Sequence, residues 1–228
     1  MVTSPQILTI PPLENGDRLS RSEFERRYQA MPHLKKAELV EGVVYMASPL
    51  RIQSHSVPHS DLITWLGVYK AATPGIVLGI EPTVRLDADN ELQPDAVLFV
   101  PGRQATISED DYIEGTPELI VEVAASSAAI DLHDKKRAYR RNGVKEYIVW
   151  RTLEGQLDWF RLEADEYVPQ YPDSQGILRS EVFPGLWLAV SPLLSGELAT
   201  VLSMLQQGLN SSEHRDFVQE LAVTRDEN

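Results

Sequence analysis

The chain has 228 residues, 43% hydrophobic and 24% charged, a balance that supplies a globular core without covalent staples. It has no cysteine, which excludes disulfides, zinc–thiolate sites and cysteine nucleophiles, and fits a reducing cytoplasm. The formal net charge of −13, from 21 Lys+Arg against 34 Asp+Glu, argues against a broad phosphate-binding surface, since nucleic-acid binders ordinarily carry a basic footprint.

Residues 1–17, polar and rich in proline, are expected to form a loose arm. They lack the basic start and apolar run of a secretory signal. No later stretch approaches the roughly 18 apolar residues of a membrane span, so a cytoplasmic protein without membrane contact is expected. Ser20 and Glu23 have capping-box spacing, which predicts a short helix running to about Ala30, before Pro32. Leu39 and the run Val43 to Met46 flank a Glu41-Gly42 turn signal, the pattern of a strand pair or bent strand. Ser48, Pro49 and the polar stretch 51–56 predict a loop. Pro58 suits the first turn of a helix, and Leu62, Trp65, Leu66 and Tyr69 carry that helix to about Ala72.

Strands are predicted over 76–80 and 83–86, a polar turn over 87–93, and a buried strand over 96–100. An acidic loop, 102–117, leads to a second buried strand, 119–124. A helix over 131–142, closed by Asn142-Gly143, leads to a third buried strand, 146–150. Strands over 156–162 and 167–171 form a meander, and β-structure continues over 177–188 around Pro184-Gly185. A helix covers 196–209, and the rest is a polar tail or weak helix. The order predicts a mixed α/β domain over 18–194, with one central sheet and helices packed against it, then a C-terminal helix and tail over 195–228.

Three charged residues are awkward for a purely structural reading. Asp95 immediately precedes AVLFV, Glu122 interrupts LIVEVA, and Lys135 lies in the helix that follows. A carboxylate in a buried strand is costly unless it is paired, hydrogen-bonded or bound to a metal. On a strand, Glu122 shares a face with Ile120 and Ala124, leaving Leu119, Val121 and Val123 opposite. Taken singly, each residue has an ordinary explanation. Asp95 ends a turn after Pro94, Glu122 makes a buried salt bridge, and Lys135 is solvated beside the Leu132–Tyr139 stripe, with Lys136 on its other flank. Taken together, two acids offer hard oxygen ligands to Mg2+ or Mn2+. A nearby ammonium offsets charge developing on a phosphate. Those are the needs of a phosphodiester hydrolase. A zinc pair of His55 and His59 is disfavoured, because Pro58 puts the helix start between them and no HExxH glutamate is present. GxSxG, Walker A and GxGxxG motifs are absent.

Pro94-Asp95 followed by Glu122-Val123-Ala124 resembles the PD-(D/E)XK nuclease pattern. The wider set is similar to the Uma-type family of restriction-endonuclease-like proteins: ELVEGVVYMASP (38–49), the His55 loop, TVRLDADNELQPDAVLFVP (83–101), TPELIVEVAASS (116–127), DLHDKKRAYRRNGVKEYIVW (131–150) and FPGLWL (183–188). The resemblance implies a restriction-endonuclease-like core, with a central mixed sheet flanked by helices. It implies Mg2+-dependent (or Mn2+-dependent) cleavage of DNA by a homodimer, with Asp95 and Glu122 holding the metal. The lysine position of the pattern falls at Ala124. Lys135 matches a lysine in the following helix, and its neighbour Lys136 is able to substitute. Glu38, ahead of Glu41, matches an additional acid near the metal. His55 matches a frequent histidine that aids proton transfer, touches phosphate or fixes its loop. Ala124 and the net charge leave a second reading open: a catalytically degenerate nuclease fold serving as a binding protein or partner-dependent accessory subunit.

Overall fold

A computed structural model describes residues 10–46 and 49–226; residues 1–9 of the expected arm and Ser48 of the expected loop lie outside the described residues. Helix α1 (Arg21–Gln29) starts where predicted, but the capping box does not form. The Ser20 hydroxyl meets Ser22 Oγ at 3.1 Å, and Glu23 is drawn to Arg26 and Arg27 at 2.7 Å each. Strands β1 (Ala37–Val40) and β2 (Val43–Met46) form the predicted hairpin. Its turn residues, Glu41 and Gly42, both have positive φ (52° and 73°), as the tightest hairpin turns require.

A π-helical turn, Ile52–Ser56, stands where a loop was expected, and runs directly into α2 (Val57–Ala72). Pro58 stands in the first turn of α2, as expected, although the π-turn runs straight into that helix. The carbonyl of Ser54, which Pro58 has no N–H to serve, accepts a hydrogen bond from Thr152 Oγ1 at 2.6 Å instead.

The next strands are β3 (Val77–Ile80), β4 (Val84–Asp87), β5 (Asn90–Leu92), β6 (Ala96–Phe99), β7 (Ala105–Ile107), β8 (Ile113–Gly115) and β9 (Leu119–Ala124). The expected polar turn over 87–93 thus contains β5, and the expected acidic loop contains β7 and β8. Within β5 the polar residues satisfy neighbouring groups instead of facing water. Asn90 is fully buried, serving the Glu41 N–H and Asp87 Oδ1 at 2.8 and 2.9 Å. Glu91 pairs with Arg85.

After β9 come α3 (Ala128–Ile130), a second π-turn (Asp131–Lys135) and α4 (Lys136–Arg141), which carry the chain back to β10 (Glu146–Arg151). Then follow β11 (Gln156–Glu163), β12 (Glu166–Gln170), β13 (Ile177–Arg179), β14 (Trp187–Ala189), α5 (Val190–Leu194), α6 (Leu198–Leu209) and α7 (Ser212–Asp226).

The mixed α/β class holds, but the strands divide between two six-stranded sheets, β2-β1-β5-β4-β8-β7 and β12-β11-β10-β9-β6-β3, with β13-β14 as a separate pair. In the second sheet β9 and β10 are parallel and the other neighbours antiparallel. One face of that sheet (Leu98, Val121, Ile148) packs on Leu62, Trp65 and Leu66 of α2 and on Val201, Leu205 and Phe217 of α6 and α7. The other face (Val97, Ile120, Val149) packs on Val84 and Leu92 of the first sheet and on Ala138 and Tyr139 of α4. Covered on both faces, β6, β9 and β10 need the continuous apolar runs seen in the sequence.

Candidate active site

The site forms where β6 and β9 stop pairing. Their antiparallel register ends at Ala96 opposite Val121. One residue earlier, Asp95 bends its side chain into the gap, and Oδ2 takes the Val123 N–H at 2.6 Å in place of a main-chain carbonyl. Its Oδ1 lies 3.3 Å from His55 Nε2. Burial disfavours the Asp95 carboxylate, but the His55 and Val123 hydrogen bonds outweigh it and hold the carboxyl below its ordinary range.

Glu122 projects from β9 on the Ile120 face, as strand alternation predicts. Its Oε1 accepts from Lys135 Nζ at 3.0 Å and from the Tyr139 hydroxyl at 2.9 Å. Oε2 takes no hydrogen bond among the described residues. Burial pushes the Glu122 carboxyl up to about 8; Asp131, Asp95 and Glu38 add to that, and Lys135 opposes it.

Lys135 closes the second π-turn and is only 5% exposed. Its ammonium lies 3.0 Å from Glu38 Oε1, 3.0 Å from Glu122 Oε1 and 3.6 Å from Asp131 Oδ1. Burial works against its charge, yet these carboxylates more than compensate and hold the ammonium well above its ordinary range. Glu38 Oε1 also accepts the Gln93 N–H at 2.8 Å, which ties β1 to the segment leading into Asp95.

The paired candidates differ in what they touch. Lys136 sits over the Phe160 ring at 3.4 Å, whereas Lys135 reaches the acids. Glu41 pairs with Arg137 and Arg141, whereas Glu38 meets Lys135. The five expected residues therefore form one chain of contacts, His55–Asp95 on one side and Glu38–Lys135–Glu122 on the other, linked through Gln93 and Val123.

Pro58 does not separate His55 from His59: the π-turn and α2 form one helical run that carries both, and their rings stand edge-on at 5.7 Å. They are not arranged as a pair, however. His55 faces the Asp95 carboxylate, and His59 Nε2 lies 3.0 Å from the Asp95 carbonyl oxygen.

Sequence reasoning missed Asp131 and Tyr139 as members of the cluster. Asp131 had a signal, because it stands four residues before Lys135 and shares its helical face. Tyr139 reads as core by its spacing, and only its hydroxyl reaches the site. Glu81 was missed too: a ring nitrogen of His59 and single carboxylate oxygens of Glu81 and Asp95 all lie within 4.8 Å of one another.

The donor set fits a divalent cation. Glu38, Asp95, Glu122 and Asp131 are all buried, against one buried lysine. Glu122 Oε2 and Asp131 Oδ1 accept no hydrogen bond among the described residues. A surplus of buried carboxyl groups on hard oxygen donors, which burial alone keeps from ionising fully, suits Mg2+ or Mn2+.

A family model described as "Uma2: Putative restriction endonuclease" matches residues 21–191. Among solved structures, the chain is similar to a crystal structure described as a putative nuclease belonging to DUF820 from Anabaena variabilis. The identity is 15% and the TM-score 0.56, over 75% of this chain and 96% of that one. At this identity the likeness is one of fold. No curated protein matches the chain.

Proposed function

The chain belongs to the Uma2 family of putative restriction endonucleases, and from that premise we propose that it is a nuclease that hydrolyses phosphodiester bonds of DNA with Mg2+ or Mn2+. Asp95 and Glu122 would hold the cation, which when bound supplies Lewis acidity and a water of lowered pKa. The observation that carries the reading is the 3.0 Å contact between Lys135 and Glu122. It brings to the second acid the ammonium that the nuclease pattern would take from position 124, which here is Ala124.

The other groups have definable tasks. Glu38 and Asp131 keep Lys135 charged in a buried setting, so its ammonium is available to offset charge on a phosphate oxygen. Tyr139 fixes the orientation of Glu122 through Oε1, leaving Oε2 uncommitted. His55 holds the Asp95 carboxylate from the helix side. We assign the protein to the cytoplasm, in keeping with a chain without cysteine. We assign it a homodimeric state, in keeping with the nuclease resemblance.

The test is incubation of the native chain and Glu122→Gln with supercoiled plasmid and Mg2+ or Mn2+. The expected outcome is metal-dependent nicking, reduced about 100-fold or more in the variant. The net charge of −13 favours a second reading, a degenerate site that binds without cutting. DNA binding without cleavage by the native chain under all metal conditions would establish that reading instead.

A further inference from the structure

The cluster of His59, Glu81 and Asp95 is separate from the Lys135 cage. His59 comes from α2, on the sheet face lined by Leu98 and Val121, whereas Glu122 projects to the opposite face with Ile120. Glu81 sits in the turn between β3 and β4, its N–H bonded to the Asp95 carbonyl at 3.1 Å. The same carbonyl is 3.0 Å from His59 Nε2. A carbonyl only accepts, so Nε2 donates to it, and in the neutral ring Nδ1 is the nitrogen with a lone pair to offer a cation. A histidine that donates one ring N–H to a main-chain carbonyl and offers its other nitrogen to the ion is the usual second-shell arrangement of a histidine ligand. The Glu81 carboxylate has no ion-pair or hydrogen-bond partner among the described residues, and Nδ1 of His59 likewise has none.

We propose that His59, Glu81 and Asp95 form a second divalent-cation site, which shares Asp95 with the first and prefers Mn2+ or Zn2+ to Mg2+. The preference follows from the donors, because imidazole suits late transition metals better than it suits Mg2+, whereas Glu122 and Asp95 offer only oxygen. The proposal rests on reading Asp95 as a metal-facing acid and not on phosphodiester cleavage.

The experiment is titration of the full chain with Mn2+, followed by electron paramagnetic resonance, without DNA. The variants are Glu81→Gln, on an exposed turn where folding is spared, and His59→Gln, whose amide can still donate to the Asp95 carbonyl. In the native chain we expect a Mn2+ equivalent showing nitrogen hyperfine coupling from a histidine ring. The coupling should vanish in His59→Gln, and that equivalent should bind at least about tenfold more weakly in Glu81→Gln. Glu122→Gln should keep the coupled signal. Coupling that survives in His59→Gln, or Mn2+ binding unchanged in both His59→Gln and Glu81→Gln, would overturn the proposal. Because the readout needs no cleavage, an inactive protein that gives the coupled signal supports this site while counting against the nuclease reading.

Discussion

Lys135 is the residue on which the arrangement turns. Buried among Glu38, Glu122 and Asp131, it neutralises charges that would otherwise be stranded in a poorly solvated pocket. Removing one partner from such a group usually costs about 3–5 kcal/mol. The carboxyls can escape part of that cost by taking protons, and Glu122 is already pushed up to about 8. Lys135→Met should therefore cost about 3 kcal/mol or more at pH 9 and clearly less at pH 6, read from urea unfolding in EDTA. A loss under about 1 kcal/mol at both pH values would mean that the cage is not electrostatically coupled. Asp95 and Glu122 were legible because acids inside or beside apolar runs are conspicuous, and Lys135 because it follows them in the next helix; Glu38 and His55 entered only through the family resemblance. The sequence could not order Lys135 ahead of Lys136. That choice depends on which side of a helix meets β9, and Leu132 and Tyr139 leave the two lysines on equal flanks.

At the scale of elements, the two π-helical turns deliver His55 and Lys135 to the site, in keeping with the concentration of such turns at functional positions. Nothing in the local sequence marks them. A widened turn is set by what the following helix packs against, so a loop was expected at 51–56 and a plain helix at 131–142. Strands β6, β9 and β10 were legible because both their faces are buried. The three-residue strands β5, β7 and β8 were not, since their pairing comes from partners distant in sequence. Two elements beyond the site carry measurable consequences. Glu146, on β10, is buried and accepts from Ser180 Oγ at 2.7 Å and from the Glu181 N–H at 2.8 Å. Burial raises its carboxyl from 4.5 to about 7 despite these bonds. The folded state therefore binds this proton more tightly than the unfolded chain. The associated stability is fully present below pH 4.5 and falls, by about 3 kcal/mol in all, as the pH rises to about 7. Glu146→Gln should flatten that part of the stability–pH curve, and an unaltered curve would contradict the assignment. On α6, a methyl group at Gly208 would run into the main-chain oxygen of Gly185 and the Trp187 ring. Gly208→Ala should cost about 1–3 kcal/mol by overpacking, visible as a lowered thermal midpoint, and an unchanged midpoint would show that α6 can shift.

For the whole molecule, the charge of −13 and the DNA reading are reconciled if a bound cation is part of the binding surface. Four of the acids lie buried in the site itself, where they repel phosphate until neutralised. Affinity for duplex DNA should therefore rise at least tenfold, roughly, on replacing EDTA with Ca2+, a cation chosen to bridge without promoting cleavage. Fluorescence anisotropy would measure it, and equal affinity in both conditions would separate binding from the site. Among the described residues no helix is long and apolar enough to cross a membrane, and α6 and α7 pack Val201, Leu205, Phe217 and Leu221 into the same core as α2 and the second sheet. The most direct test of the central claim is the rate at which supercoiled plasmid is nicked in Mn2+ by the native chain and by Asp95→Asn, with circular dichroism confirming that both are folded. The account predicts steady nicking by the native chain and essentially none by the variant. Equal rates in the two would contradict it.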